Sequence, residues 1–176
     1  NMPGHNAENF AMDWIGSVPG IRESRRLVGD YILNENDILE NRIFDDGVAF
    51  GGWPIDVHPA EGFHHKGLPT RYINFPGHYA IPYRCLYSKN VENLMMAGRD
   101  ISVSKLAMAS TRVMGTCAIC GQAAGTAAAL SVKHSVTPAQ LGKAYIQELR
   151  QTLLKEDCYI PGAVNEDPDD LARAAT

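Results

Sequence analysis

The sequence predicts an α/β chain, α+β in detail: a mixed, partly antiparallel sheet followed by two long helices, over roughly residues 112–133 and 138–154. Three observations carry this. From Gly115 to Ala129 the chain holds three Gly, six Ala, two Thr and two Cys, so thirteen of fifteen residues are small, and the run is long enough for a helix that packs closely. Thr137, Pro138 and Gln140 form the start signal of the last helix: a hydroxyl cap, proline at the first helical position, and glutamine closing a capping box. Upstream, short β-branched and aromatic runs broken by Gly and Pro have the character of strands.

The 176 residues suffice for one domain with a real core. An apolar fraction of 45% and a charged fraction of 20% are ordinary for a globular chain. The net charge of −4 argues against a nucleic-acid or membrane-surface role, and no apolar run reaches the length of a membrane span. A soluble protein is expected. The first residues, NMPGHNAENF, have no signal-peptide pattern.

In order, residues 6–16 carry Phe10, Trp14 and Ile15 at helical spacing and predict a short helix ending at Gly16. RRLVGDYIL, residues 25–33, predicts a strand interrupted at Gly29. NENDILENR predicts a turn or one helical turn. VAFGGWPIDVH predicts a strand, a Gly-Gly break and an extended stretch. Residues 59–78, rich in Pro, Gly and His, predict a long excursion, and His64 and His65 fall in it as loop residues. YAIPYRCLYS predicts an edge or bulged strand, because Pro82 cannot donate to a ladder. NLMMAGRD, residues 93–100, predicts a short buried strand closed by Gly98, and DISVSKLAMAS a polar loop. Ser110 or Thr111 is the expected cap of the small-residue helix. Leu141, Tyr145, Leu149 and Leu153 line one face of the last helix.

Of the four cysteines, Cys117 and Cys120 have C-x-x-C spacing, but no second such pair completes a zinc or iron–sulfur site. Among alanines in a helix they are expected to act as small apolar residues. Gly121 and Gly125 share a helix face, which predicts close seating on a sheet. A helix with bare first turns also lets an anionic or polar ring system approach its free amides.

Four motifs, GIRESRRLVGDYIL, GGWPIDVH, IPYRCLYSKNVENLMMAGRDISVS and STRVMGTCAICGQAAGTAAAL, together resemble the C-terminal part of the FAD-dependent oxidoreductase family. The resemblance runs from about Trp14 to the tail. Some members of this family are labelled xanthan lyases, and many are fused to carbohydrate-related modules. The family is related to the A subunits of heterodisulfide reductases and, more remotely, to glutathione-reductase-like flavoproteins. The implied fold is a piece of that FAD-binding fold. Residues 1–88 would form a β-rich substrate side with the short N-terminal helix. Residues 89–134 would supply the last strand and helix of the FAD domain, residues 135–158 a C-terminal helix, and residues 159–176 a linker to a following domain.

The resemblance also implies roles. Gly98, Arg99 and Asp100 would lie along the ribityl–phosphate chain, and Met114, Gly115 and Thr116 would present amides to the flavin ring. Arg25, Arg26, Asp56, His58, Tyr83 and Arg84 are the candidates on the substrate side. There Asp56 and His58 share a strand face for proton transfer and Arg84 would hold a carboxylate of a small organic substrate. No G-x-G-x-x-G occurs in the chain, so the family's N-terminal β-α-β unit is expected to lie outside these residues. That unit is the expected partner, self-association of the exposed surface is expected in its place, and the isolated chain is expected to be inactive and to lack FAD. Two alternatives stand beside this reading. One is a polysaccharide lyase using Tyr83, Arg84 and His58, and the other a folded piece with no catalysis of its own.

Overall fold

The computed structural model describes residues 4, 6, 8–18 and 25–169. It is a mixed α/β chain, with five helices and two small antiparallel sheets among those residues. Helix α1, Glu35–Leu39, is a single turn with a full capping box between Asn34 and Asp37. Strand β1, Gly47–Gly51, pairs antiparallel with β4, Tyr79–Pro82, with a bulge between Gly47 and Ala49. The excursion between them folds back on itself as β2, Ile55–Val57, and β3, Arg71–Ile73, in the register Asp56 opposite Tyr72 and Val57 opposite Arg71. Helix α2, Lys105–Thr111, is capped by Ser104, and α3, Met114–His134, leaves it at 95°. Helices α4, Pro138–Ala144, and α5, Ile146–Lys155, complete the fold.

The core joins Val48, Ile81 and Tyr79 of the larger sheet to Cys120, Ala123, Ala127 and Leu130 of α3 and to Leu149 and Leu153 of α5. At roughly 25 cal/mol per Å² of apolar surface removed from water, this layer is the main source of stability. The capping box at Thr137 and Gln140 forms as the sequence predicts.

Several sequence expectations are corrected. Residues 8–18 form no helix: Phe10, Trp14 and Ile15 are 78%, 82% and 71% exposed, so the apolar stripe has nothing to pack on among the described residues. Residues 25–33 form no regular strand. They run between two loops and bond alternately to each, Leu27 N–H to Asp100 O and Tyr31 N–H to Arg84 O. Gly29 is required there, because a Cβ would stand 2.3 Å from Arg84 O. NLMMAGRD makes one isolated bridge, Tyr87 with Met95, and then a 3₁₀ turn over Gly98–Asp100. The polar loop after it contains α2, and the N-cap of α3 is Val113 rather than Ser110 or Thr111. The single helix over 138–154 breaks at Tyr145, whose ring stacks flat on His134 with centroids 4.0 Å apart.

The small residues of α3 divide differently from expectation. Ala123, Ala124, Ala127 and Cys120 seat the helix, while a Cβ at Gly115, Gly121 or Gly125 would meet no atom within 4 Å. The glycine face is open. No single helix is long and apolar enough to cross a membrane.

Candidate functional site

Two groups of residues meet at the corner between α2 and α3. The first surrounds the start of α3. Val113 offers no side-chain cap, so the first amides of α3 have no capping side chain, with the positive end of a 21-residue helix dipole behind them; Met114 is exposed there and Thr116 buried. The Gly98–Asp100 turn packs against this helix. Gly98 sits at φ +84°, a conformation glycine adopts without strain, and the space over its Cα is open. Arg99 and Asp100 are exposed and lie within electrostatic reach of Cys117, whose thiol pKa is raised chiefly by burial. Thr111 Oγ1, at the end of α2, is buried without a hydrogen-bond partner.

The second group lies on the β2–β3 ribbon. Period-two alternation and the register place Asp56, His58, Thr70 and Tyr72 on one face. Asp56 accepts a hydrogen bond from Thr70 Oγ1. His58 Nε2 stands 3.3 Å from Asp56 Oδ2, and His58 Nδ1 stands 3.3 Å from Pro69 O. Arg112 donates to Asp56 O at 3.0 Å and lies 3.6 Å from its carboxylate. Arg112 is the C-cap of α2 and directly precedes Val113, so one residue ties the ribbon to the start of α3.

The Asp56–His58 pair is therefore formed, and the Gly98–Asp100 turn packs against α3, with Arg99 and Asp100 near Cys117. Thr70, Tyr72 and Arg112 are additions that the sequence reading missed. Thr70 and Tyr72 carried a signal, a β-branched and aromatic residue two apart, but it lay inside the stretch read as an excursion. Arg112 stands in a motif quoted above, without a role until its partner is seen.

Tyr83 and Arg84 do not join them. Tyr83 is fully buried, donates to Pro138 O at 3.0 Å, and burial pushes its phenol well above the usual range. Arg84 makes a two-pronged pair with Asp46, at 2.9 and 3.1 Å, and lies over the Tyr31 ring. That hydrogen bonding raises its pKa and occupies the fork that a substrate carboxylate would need. Both side chains are engaged within the fold, which leaves His58 alone, of the three residues of the lyase alternative, on the Asp56 face. Arg25 is exposed, and Arg26 is half-buried with Nε donating to Val103 O. Cys120 and Cys85 are buried thiols, and burial raises Cys85 to about 12, so neither is poised as a nucleophile.

A glycine turn beside an uncapped helix start, tied to a carboxylate–imidazole pair, is the candidate site of this mixed α/β chain. The family model described as FAD dependent oxidoreductase matches residues 1–153, and the chain belongs to that family. No curated protein and no solved structure matches it.

Proposed function

We propose that this chain forms the flavin-ring and substrate side of a flavin-dependent oxidoreductase. FAD is the cofactor of the family. The residues present suit it: Gly98 and Gly115 leave open the space that a side chain would fill, and the free amides of α3 match the negative charge that a reduced flavin gathers at its pyrimidine edge. When bound, FAD supplies a two-electron acceptor and donor. In this reading Gly98–Asp100 lie along the ribityl chain and Met114–Thr116 under the ring. Asp56 and His58 face the substrate, an organic molecule, and move its proton. Thr70 and Arg112 keep the Asp56 carboxylate in place. Adenine and diphosphate are held by a Gly-rich β-α-β unit outside these residues, which covers the open glycine face of α3.

The single observation behind this reading is the link through Arg112, which sets the proton-transfer pair at the start of the helix that would receive the flavin. The test is a titration of the chain with riboflavin and with FAD, followed by backbone amide shifts. The expected result is weak binding of both, with shifts at Gly98–Asp100 and Met114–Thr116. Each diphosphate contact left out is worth about 1.5–3 kcal/mol, so the isolated chain binds roughly a thousandfold less tightly than a complete site and purifies colourless. Shifts confined to other residues, or stoichiometric FAD surviving gel filtration, would overturn the assignment.

A further inference from the structure

The loop over residues 58–70 folds back over the β2–β3 ribbon and closes an open depression of about 670 Å³. Its apolar lining is Val57, Pro59, Leu68 and the Tyr72 ring, and its polar lining is His65, Thr70 and Arg71. Leu68 is 80% exposed and Tyr72 51% exposed, a large apolar surface for a loop and a two-stranded ribbon to leave in water. The volume lies in the range of small-molecule sites.

The polar groups around it are not equally engaged. His65 faces Glu61 at 3.5 Å, and Thr70 Oγ1 donates to Asp56. Arg71 has no ion pair or hydrogen bond among the described residues, so its guanidinium stands free beside the apolar floor. An unpaired guanidinium offers a planar two-donor fork suited to a carboxylate. The depression is joined to the proton-transfer pair twice: Thr70 belongs to both, and Tyr72 stands directly across the ribbon from Asp56.

We infer that this depression is the substrate pocket and that it takes an organic carboxylate with a flat apolar body. The body lies on Val57, Pro59 and Leu68, and the carboxylate pairs with Arg71, which shares the Val57 face of the ribbon. Thr70 and Tyr72, which share the face of Asp56 and His58, join the depression to that pair. The inference rests on the substrate-side reading of that pair, but its test uses no flavin, so the two fail separately.

Three probes of one shape and different charge are titrated into the chain: 2-naphthoate, 2-naphthalenemethanol and 2-naphthylmethylammonium. The naphthoate is expected to bind saturably and to shift the amides of Val57, Leu68 and Tyr72. The alcohol should bind roughly three- to tenfold more weakly and the ammonium weaker still. Arg71→Gln should abolish the preference for the acid and leave the affinity for the alcohol unchanged, while Arg71→Lys should keep part of it. Equal binding of the three probes, shifts elsewhere in the chain, or no saturable binding below about 10 mM would overturn the inference. Glucuronate serves as a further arm: binding of this polar acid in place of the naphthoate would show that the apolar floor is not what the pocket reads.

Discussion

Arg112 and Asp56 meet across 56 positions of sequence, the guanidinium donating to the Asp56 carbonyl at 3.0 Å and standing 3.6 Å from its carboxylate. Both side chains are largely sheltered, at 13% and 16% exposure, so the contact is screened less than a surface pair. It fixes the angle between the β2–β3 ribbon and the α2–α3 corner.

Removing this tie should loosen both elements. Arg112→Ala is expected to destabilise the chain by about 1.5–3 kcal/mol, the range for a hydrogen bond to a charged donor. Arg112→Lys should recover less than half of that, because a flexible ammonium lacks the planar guanidinium that fixes Nη2 between the two Asp56 oxygens. A double-mutant cycle with Asp56→Asn, read by urea denaturation, is expected to show coupling of about 0.5–3 kcal/mol. Additive effects would mean that the two residues act apart.

The open glycine face makes an opposite prediction. A Cβ at Gly121 or Gly125 meets nothing, so the usual helix penalty of glycine is relieved without a clash. The double variant Gly121→Ala, Gly125→Ala should be about 1–2 kcal/mol more stable, a rise of several degrees in Tm. A fall would reveal another surface already against the helix, as the self-association expected from the sequence requires. Light scattering on the same samples decides between these outcomes.

Acid should unlatch the end of α3 from α5. Glu148 accepts from Lys133 Nζ at 2.8 Å and from His134 Nε2 at 2.7 Å, and its pKa is lowered, first by the Lys133 hydrogen bond. A carboxyl whose folded pKa lies below its unfolded value, about 4.3, stabilises the fold above that value and loses this contribution as pH falls through the folded pKa. Glu148→Gln should therefore melt below the parent at pH 7, with the difference closing below about pH 4. A difference constant from pH 7 to pH 3 would show that the carboxylate charge contributes nothing.

The sequence by itself determined what local chemistry governs. Thr137, Pro138 and Gln140 start a helix wherever they fall, because the cap bonds span three residues. The run of small residues from Gly115 gives α3, and alternation puts Asp56 and His58 on one face. Gly98, at φ +84°, ends the extended stretch where the sequence puts the break, but the 3₁₀ turn that begins there is not foreseen by the sequence. Tertiary structure decided the rest. Residues 25–33 have the composition of a strand, but two loops rather than a ladder take up their hydrogen bonds. The stripe at Phe10 and Trp14 forms no helix without a surface to bury it, since most helix stability comes from packing. Tyr83 and Arg84 have the residue types of a catalytic pair, yet Pro138 O and Asp46 claim them from 55 and 38 positions away. Whether a polar side chain is free for chemistry depends on partners distant in the chain, and those partners are fixed only when the core brings them together.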